Sequence, residues 1–196
     1  MAVCSGSSHG ALALIASADF RALSRLWRHS TLSRARKLEI FNATVTSHLT
    51  YGLAAAWLNV SERRRLNGFQ NRCLRSIWGI MPAFISRISN QRVLETTGQR
   101  PSSHMLAKQQ LLLFGKAARA PEGNLLKDST FCPGSLRPAT ERFVRKVGRP
   151  RIEWTGEVGK IARRVVGANG DLESAVLSAA SWRGLVTSFC KNHVLY

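Results

Sequence analysis

Apolar residues recur along this chain at steps of three and four, the spacing of an α-helical face, and no run of alternating apolar and polar positions long enough for a strand occurs. A first helical period starts at Leu23, Leu26 and Trp27 and pauses at the stretch HSTLS. It resumes from about Arg34 to Leu58, where Leu38, Phe41, Val45, Leu49, Gly52 and Ala56 line one side. This predicts a long packed helix, with Tyr51-Gly52 as an alternative break. Ser61 is a candidate N-cap for the next helix, with Glu62 at the positive end of its dipole. Leu66, Phe69, Cys73 and Ile77 then share one sector bordered by Leu74, and Gly79 and Pro82 end the helix. Asn90 is placed to cap a short helix through Val93 and Leu94 that stops at Gly98. Pro101-Ser102 opens another through Met105, Leu106, Leu111, Leu112, Leu113 and Phe114.

From about Ala120 to Pro150 the periodicity gives way to Pro121, Gly123, Pro133, Gly134, Pro138, Gly148 and Pro150, the composition of a linker. Two more helices follow. One lies near Arg151–Val166. The other is capped by Asp171 and reaches about Cys190, with Val176, Leu177, Trp182, Leu185, Val186 and Phe189 inward. The expected class is therefore all-α: residues 1–20 disordered or frayed, a helical bundle over 21–119, a basic Pro/Gly-rich linker over 120–150, and a smaller helical unit over 151–196.

Charge changes this picture from a generic helical protein to one with a polyanionic partner. The 196 residues carry 29 Lys and Arg against 11 Asp and Glu, a formal charge of +18. Most of the basic residues are arginines spread over several segments, which favours nucleic acid over a membrane surface. No stretch approaches the roughly 20 apolar residues of a membrane span. The basic residues gather in two places. Arg63, Arg64, Arg65, Arg72 and Arg75 lie on the helix after Ser61, and Arg142, Arg145, Lys146, Arg149 and Arg151 in and beyond the linker. Lys37, Arg63, Arg64, Arg72, Arg75, Lys146, Arg149 and Arg151 are the candidate phosphate contacts. KVGRPRIEW contains Gly-Arg-Pro, the core of a minor-groove hook, and reads equally well as a rigid linker.

Catalytic chemistry has little to stand on. The acids are scattered with no pair suited to two-metal phosphoryl transfer, and Glu157 has Lys160 and Arg164 within reach as ion-pair partners. His9, His29, His48, His104 and His193 form no set with a nucleophile, and no Gly-rich phosphate loop is present. Cys4, Cys73, Cys132 and Cys190 are too dispersed for a zinc site, and Cys73 falls on an apolar helix face, where it reads as a small buried hydrophobe. The expectation is a non-enzyme with free thiols, no cofactor or metal, no small-molecule substrate and no membrane partner. Its expected place is the nucleus or cytoplasm; the acid-poor N-terminus also admits a mitochondrial transit peptide.

The segments together resemble the region beyond the polymerase core of reverse transcriptases from non-LTR (LINE-type) retrotransposons. The resemblance rests on Lys37, Phe41, Val45, Ser47, Leu49, Tyr51-Gly52 and Trp57, then Leu66, Phe69-Gln70, Arg72-Cys73-Leu74-Arg75, Ile77 and Gly79-Ile80. Arg87-Ile88-Ser89-Asn90, Val93-Leu94, Thr97-Gly98, Gly148-Arg149-Pro150-Arg151, Trp154 and Trp182-Arg183 continue it in order. Gly115-Lys116 stands where many relatives have Gly-His. The resemblance implies the thumb and helical linker, which would hold RNA–DNA or RNA duplex leaving the active site. The fingers and palm, with the metal-binding aspartates, would lie upstream, so the chain is expected to be a fragment. A freestanding structural protein of a ribonucleoprotein particle and a functionless element remnant remain alternatives.

Overall fold

A computed structural model describes residues 5–139, 153–167 and 170–192. The described chain is helical almost throughout, with 74% of the chain in helix and no sheet, so the all-α class holds. Two compact units divide it: residues 1–53 with 58–105, and residues 54–57 with 106–196. The later division between these units is at 105/106. It falls within a single helix, because the residues after Met105 pack with the C-terminal helices.

In the first unit, α1 runs from Ser5 to Arg28, where disorder or fraying was expected to residue 20. It is tied to the next helix by the edge-on contact of Phe20 with Phe41, at a centroid distance of 5.9 Å, and Phe20 also meets Trp27 of its own helix at 6.1 Å. The long helix expected over 34–58 is instead α2 (Arg34–Phe41), a π-type turn over Asn42–Thr46 and the short α3 (Ser47–Thr50). It ends at the alternative break, Tyr51-Gly52, where Gly52 has φ +71°. Phe41, Val45 and Leu49 are buried, as their spacing required.

The central element of this unit is α4 (Val60–Trp78). Its cap is Asn59 rather than Ser61: the Asn59 side chain accepts from the Glu62 N–H, and the Glu62 carboxylate accepts from the Asn59 N–H at 2.7 Å, a reciprocal capping box. Gly79 closes the helix in the left-handed region that favours glycine, φ +71°. Leu66, Cys73, Leu74 and Ile77 are buried and Phe69 is half-buried. A short α5 (Ala83–Ser86) and then α6 (Asn90–Thr97) follow, α6 capped by Ser89 rather than Asn90 and ending at Gly98. Val93 on α6 is fully buried.

Helix α7 (Ser102–Ala118) begins in the first unit and continues into the second. The second unit adds α8 (Leu125–Thr130), α9 (Trp154–Val166), α10 (Leu172–Leu177) and α11 (Ala179–Asn192). The first part of the expected linker is thus folded: α8 is followed by Phe131, 1% exposed, which bridges back to Pro138. The single helix expected from Asp171 to Cys190 is split at Ser178, and Leu177, expected inward, is 76% exposed. The core gathers Phe114, Phe131, Val158, Ile161, Val165, Trp182 and Val186. Trp182 lies so close to α7 that a β-carbon on Gly115 would collide with its indole.

Candidate nucleic-acid interface

The arginines of α4 share a helix but not a role. At about 100° per residue, Arg64, Gly68, Arg72 and Arg65 fall within about 100° of one another, on the side opposite Leu66 and Cys73. Arg64, Arg65 and Arg72 are exposed. From Arg64 to Arg72 the helix advances about 12 Å. Gly68, between them, has nothing within 4 Å of the position a β-carbon would take, so a phosphate backbone meets no side chain there. Glu62 is the sole acid of α4, and its carboxylate is engaged by the Asn59 N–H of the cap. The three exposed guanidinium groups therefore face solvent with their charge uncompensated by an acid of their own helix.

Arg75 corrects the sequence reading. It is 6% exposed, and its guanidinium donates to four acceptors: Met81 O at 3.1 Å, Ser86 Oγ at 3.3 Å, Ile88 O at 2.6 Å and Asn90 Oδ1 at 3.2 Å. The cause is the return of residues 81–90 over this side of α4, which turns a surface position into a buried one. Arg75 is a clamp on that loop and has no free face for a phosphate. Arg63 is half-buried, with Nε donating to Leu58 O at 2.8 Å. Lys37 is also half-buried, and its Nζ donates to Trp27 O at 3.2 Å near the C-terminal end of α1. Lys146, Arg149 and Arg151, with their neighbours Arg142 and Arg145, lie outside the described residues.

Two amides on α4 set the neighbouring chain in place. Gln70, 1% exposed, accepts from the Ser102 N–H at 2.7 Å and donates to Arg100 O at 2.8 Å. One helical turn earlier, Asn67 accepts from the Ser103 N–H at 3.0 Å and donates to Ser103 Oγ at 2.9 Å. These bonds occupy first-turn N–H groups of α7 that a helix start leaves without an intrahelical partner. Sequence reasoning placed Phe69-Gln70 in a motif without seeing this cap, because it depends on residues more than thirty positions away.

Elsewhere several of the described acids are drawn into pairs, locally for Arg36 with Glu39, Arg92 with Glu95, Lys127 with Glu122 and Lys160 with Glu157, and at longer range for Asp19 with His48. The exposed aromatic chemistry near α4 is at Phe84, 77% exposed on α5 between Met81 and Arg87. Cys73 is a free thiol, 2% exposed, and burial pushes it up to about 12, with the neighbouring Arg72 charge pulling the other way. It is held in its protonated form as a packing group, which suits the reading of it as a small hydrophobe. Among the described residues no cluster of His, Cys, Asp or Glu has the makings of a metal site, and no helix is long and apolar enough to cross a membrane. Comparison with family models, with curated proteins and with solved structures finds no match to this chain.

Proposed function

We propose that the chain is a non-catalytic nucleic-acid-binding element of a non-LTR retrotransposon reverse transcriptase, gripping RNA or RNA–DNA duplex through backbone phosphates. The observation that carries the binding is the exposed arginine stripe of α4, Arg64, Arg65 and Arg72 around the open position at Gly68. Guanidinium groups spaced along about 12 Å of helix can reach more than one phosphate of a duplex, and such contacts carry little sequence preference. Support for the reverse-transcriptase assignment comes from the ordered resemblance of the segments. Its motif residues Gln70 and Arg75, with Ile88 and Asn90, are among those by which the first unit stitches α4 to its neighbours.

The test is anisotropy titration of a labelled RNA–DNA duplex between low and high salt. Log Kd should rise linearly with log salt, and replacing Arg64, Arg65 and Arg72 together by Gln should flatten the slope by roughly two to three. Affinity indifferent to salt, or a slope unmoved by the triple substitution, sinks the proposal.

A further inference from the structure

The loop that Arg75 clamps has an unusual outer surface. Met81, Phe84 and Ile85 are 55%, 77% and 53% exposed, three large apolar side chains within five residues; Leu26, Tyr51 and Val60 of the same unit are exposed too, but singly. The exposure is built in. Beneath the loop, Arg75 holds Met81 O, Ser86 Oγ, Ile88 O and Asn90 Oδ1, and the Ile88 N–H donates to Ser86 Oγ. Arg87, which ends α5, adopts φ +56°, a left-handed conformation uncommon for a residue with a β-carbon. A loop fixed at both ends and underneath has no easy rearrangement that buries Phe84.

The surroundings say what kind of ligand suits it. Residues 60–92 carry seven arginines, at 63, 64, 65, 72, 75, 87 and 92, against the single acid Glu62. An apolar tip in so cationic a setting is matched by a partner that is polyanionic and carries flat apolar faces. Nucleic acid has both, and only where its bases are unpaired or at a duplex end are those faces open. We infer that the Met81–Arg87 loop is a base-stacking point, with Phe84 receiving an unpaired nucleobase of the strand whose phosphates lie on α4. Arg87, exposed beside it, is placed to meet the adjoining phosphate. This rests on the binding reading above and adds to it a subsite: a stacking point for one unpaired base beside the phosphate contacts.

The test compares a blunt RNA–DNA duplex with the same duplex bearing a short 3′ extension containing 2-aminopurine, both titrated with the full chain. The extension should raise affinity roughly tenfold and quench the 2-aminopurine. Phe84→Ala should abolish that increment while leaving the affinity and salt slope for the blunt duplex unchanged, and Phe84→Trp should restore it. Circular dichroism checks that the fold survives, as expected for so exposed a residue. Blunt-duplex binding that is absent or insensitive to salt overturns the phosphate reading and this inference with it. If blunt-duplex binding is intact, an increment that is missing or survives Phe84→Ala overturns the stacking alone. So does a concentration-dependent dimer, seen by light scattering, that Phe84→Ala dissolves without touching the increment, since the tip would then meet a second copy of the chain.

Discussion

The two units hold themselves together by different means. In the first, directional bonds from one helix do much of the fixing: Asn67 and Gln70 seize the start of α7, and Arg75 gathers the loop from Met81 to Asn90. In the second, volume does it. Phe114 packs edge-on to Phe131 at 5.2 Å and lies 6.5 Å from both Trp154 and Trp182, and Gly115 is the gap that admits the Trp182 ring. Polar bonds in that core finish the aromatic fit: Trp182 Nε1 donates to Leu111 O at 2.9 Å and Trp154 Nε1 to Ala54 O at 2.8 Å. A unit fixed by directional bonds can hold an exposed loop in a set shape, whereas one fixed by volume chiefly holds itself.

That contrast is open to attack from several sides. The heaviest blow should be Trp182→Ala, which empties the aromatic core and leaves Leu111 O without its indole donor. A loss of about 4 kcal/mol is expected from urea unfolding followed by circular dichroism. Next comes the pair Arg75→Met and Arg72→Met. The first removes four hydrogen bonds of a buried side chain to the loop and should cost about 3 kcal/mol, while the second, on an exposed position of the same helix, should stay within about 0.5 kcal/mol. Equal costs would mean that the loop is not held by the clamp.

The gentlest probe is pH, and it separates the units by sign. Asp171 caps α10, and hydrogen bonds from the Ser174 hydroxyl, then from the Ser174 and Glu173 N–H groups, hold its carboxyl below the ordinary 3.8. Its contribution is complete above 3.8 and lost as pH falls through the lower folded value, so Asp171→Asn should flatten the acid limb of the urea midpoint. Cys73, in the first unit, titrates the other way. Its stabilising protonated form is complete below 9.0 and lost as pH rises from there toward about 12, so Cys73→Ala should flatten the alkaline limb.

How much of this was legible in the sequence follows from what periodicity can and cannot encode. Three- and four-residue spacing placed Phe41, Val45, Leu49, Leu66, Cys73, Val93 and Trp182 in the interior, and Gly79 and Gly98 at helix ends, since a helix registers its own core face and its own stop. It did not show what lies over the opposite face. Arg72 and Arg75 look equivalent on a helical projection, and only the fold of residues 81–90 separates an exposed cation from a buried one. Local chemistry also has competitors at close range. Asn59 took the cap from Ser61 because Glu62 stands three residues after it and can close the reciprocal box. The break at Ser178 and the folding of α8 with Phe131 onto the second unit depend on distant partners that no local pattern announces.

Arg75 has one more effect, which acts beyond its contacts. The groups that hold it are two carbonyls, a hydroxyl and a side-chain amide, all uncharged, so the cation is tethered without being neutralised. A guanidinium stays protonated at any ordinary pH, and its field continues into the solvent off the end of α4. An approaching polyanion would feel that charge before touching anything. Its mark should therefore fall on how fast complexes form at low ionic strength more than on how long they last, and salt should erase it sooner than it erases the contacts proposed for Arg64, Arg65 and Arg72.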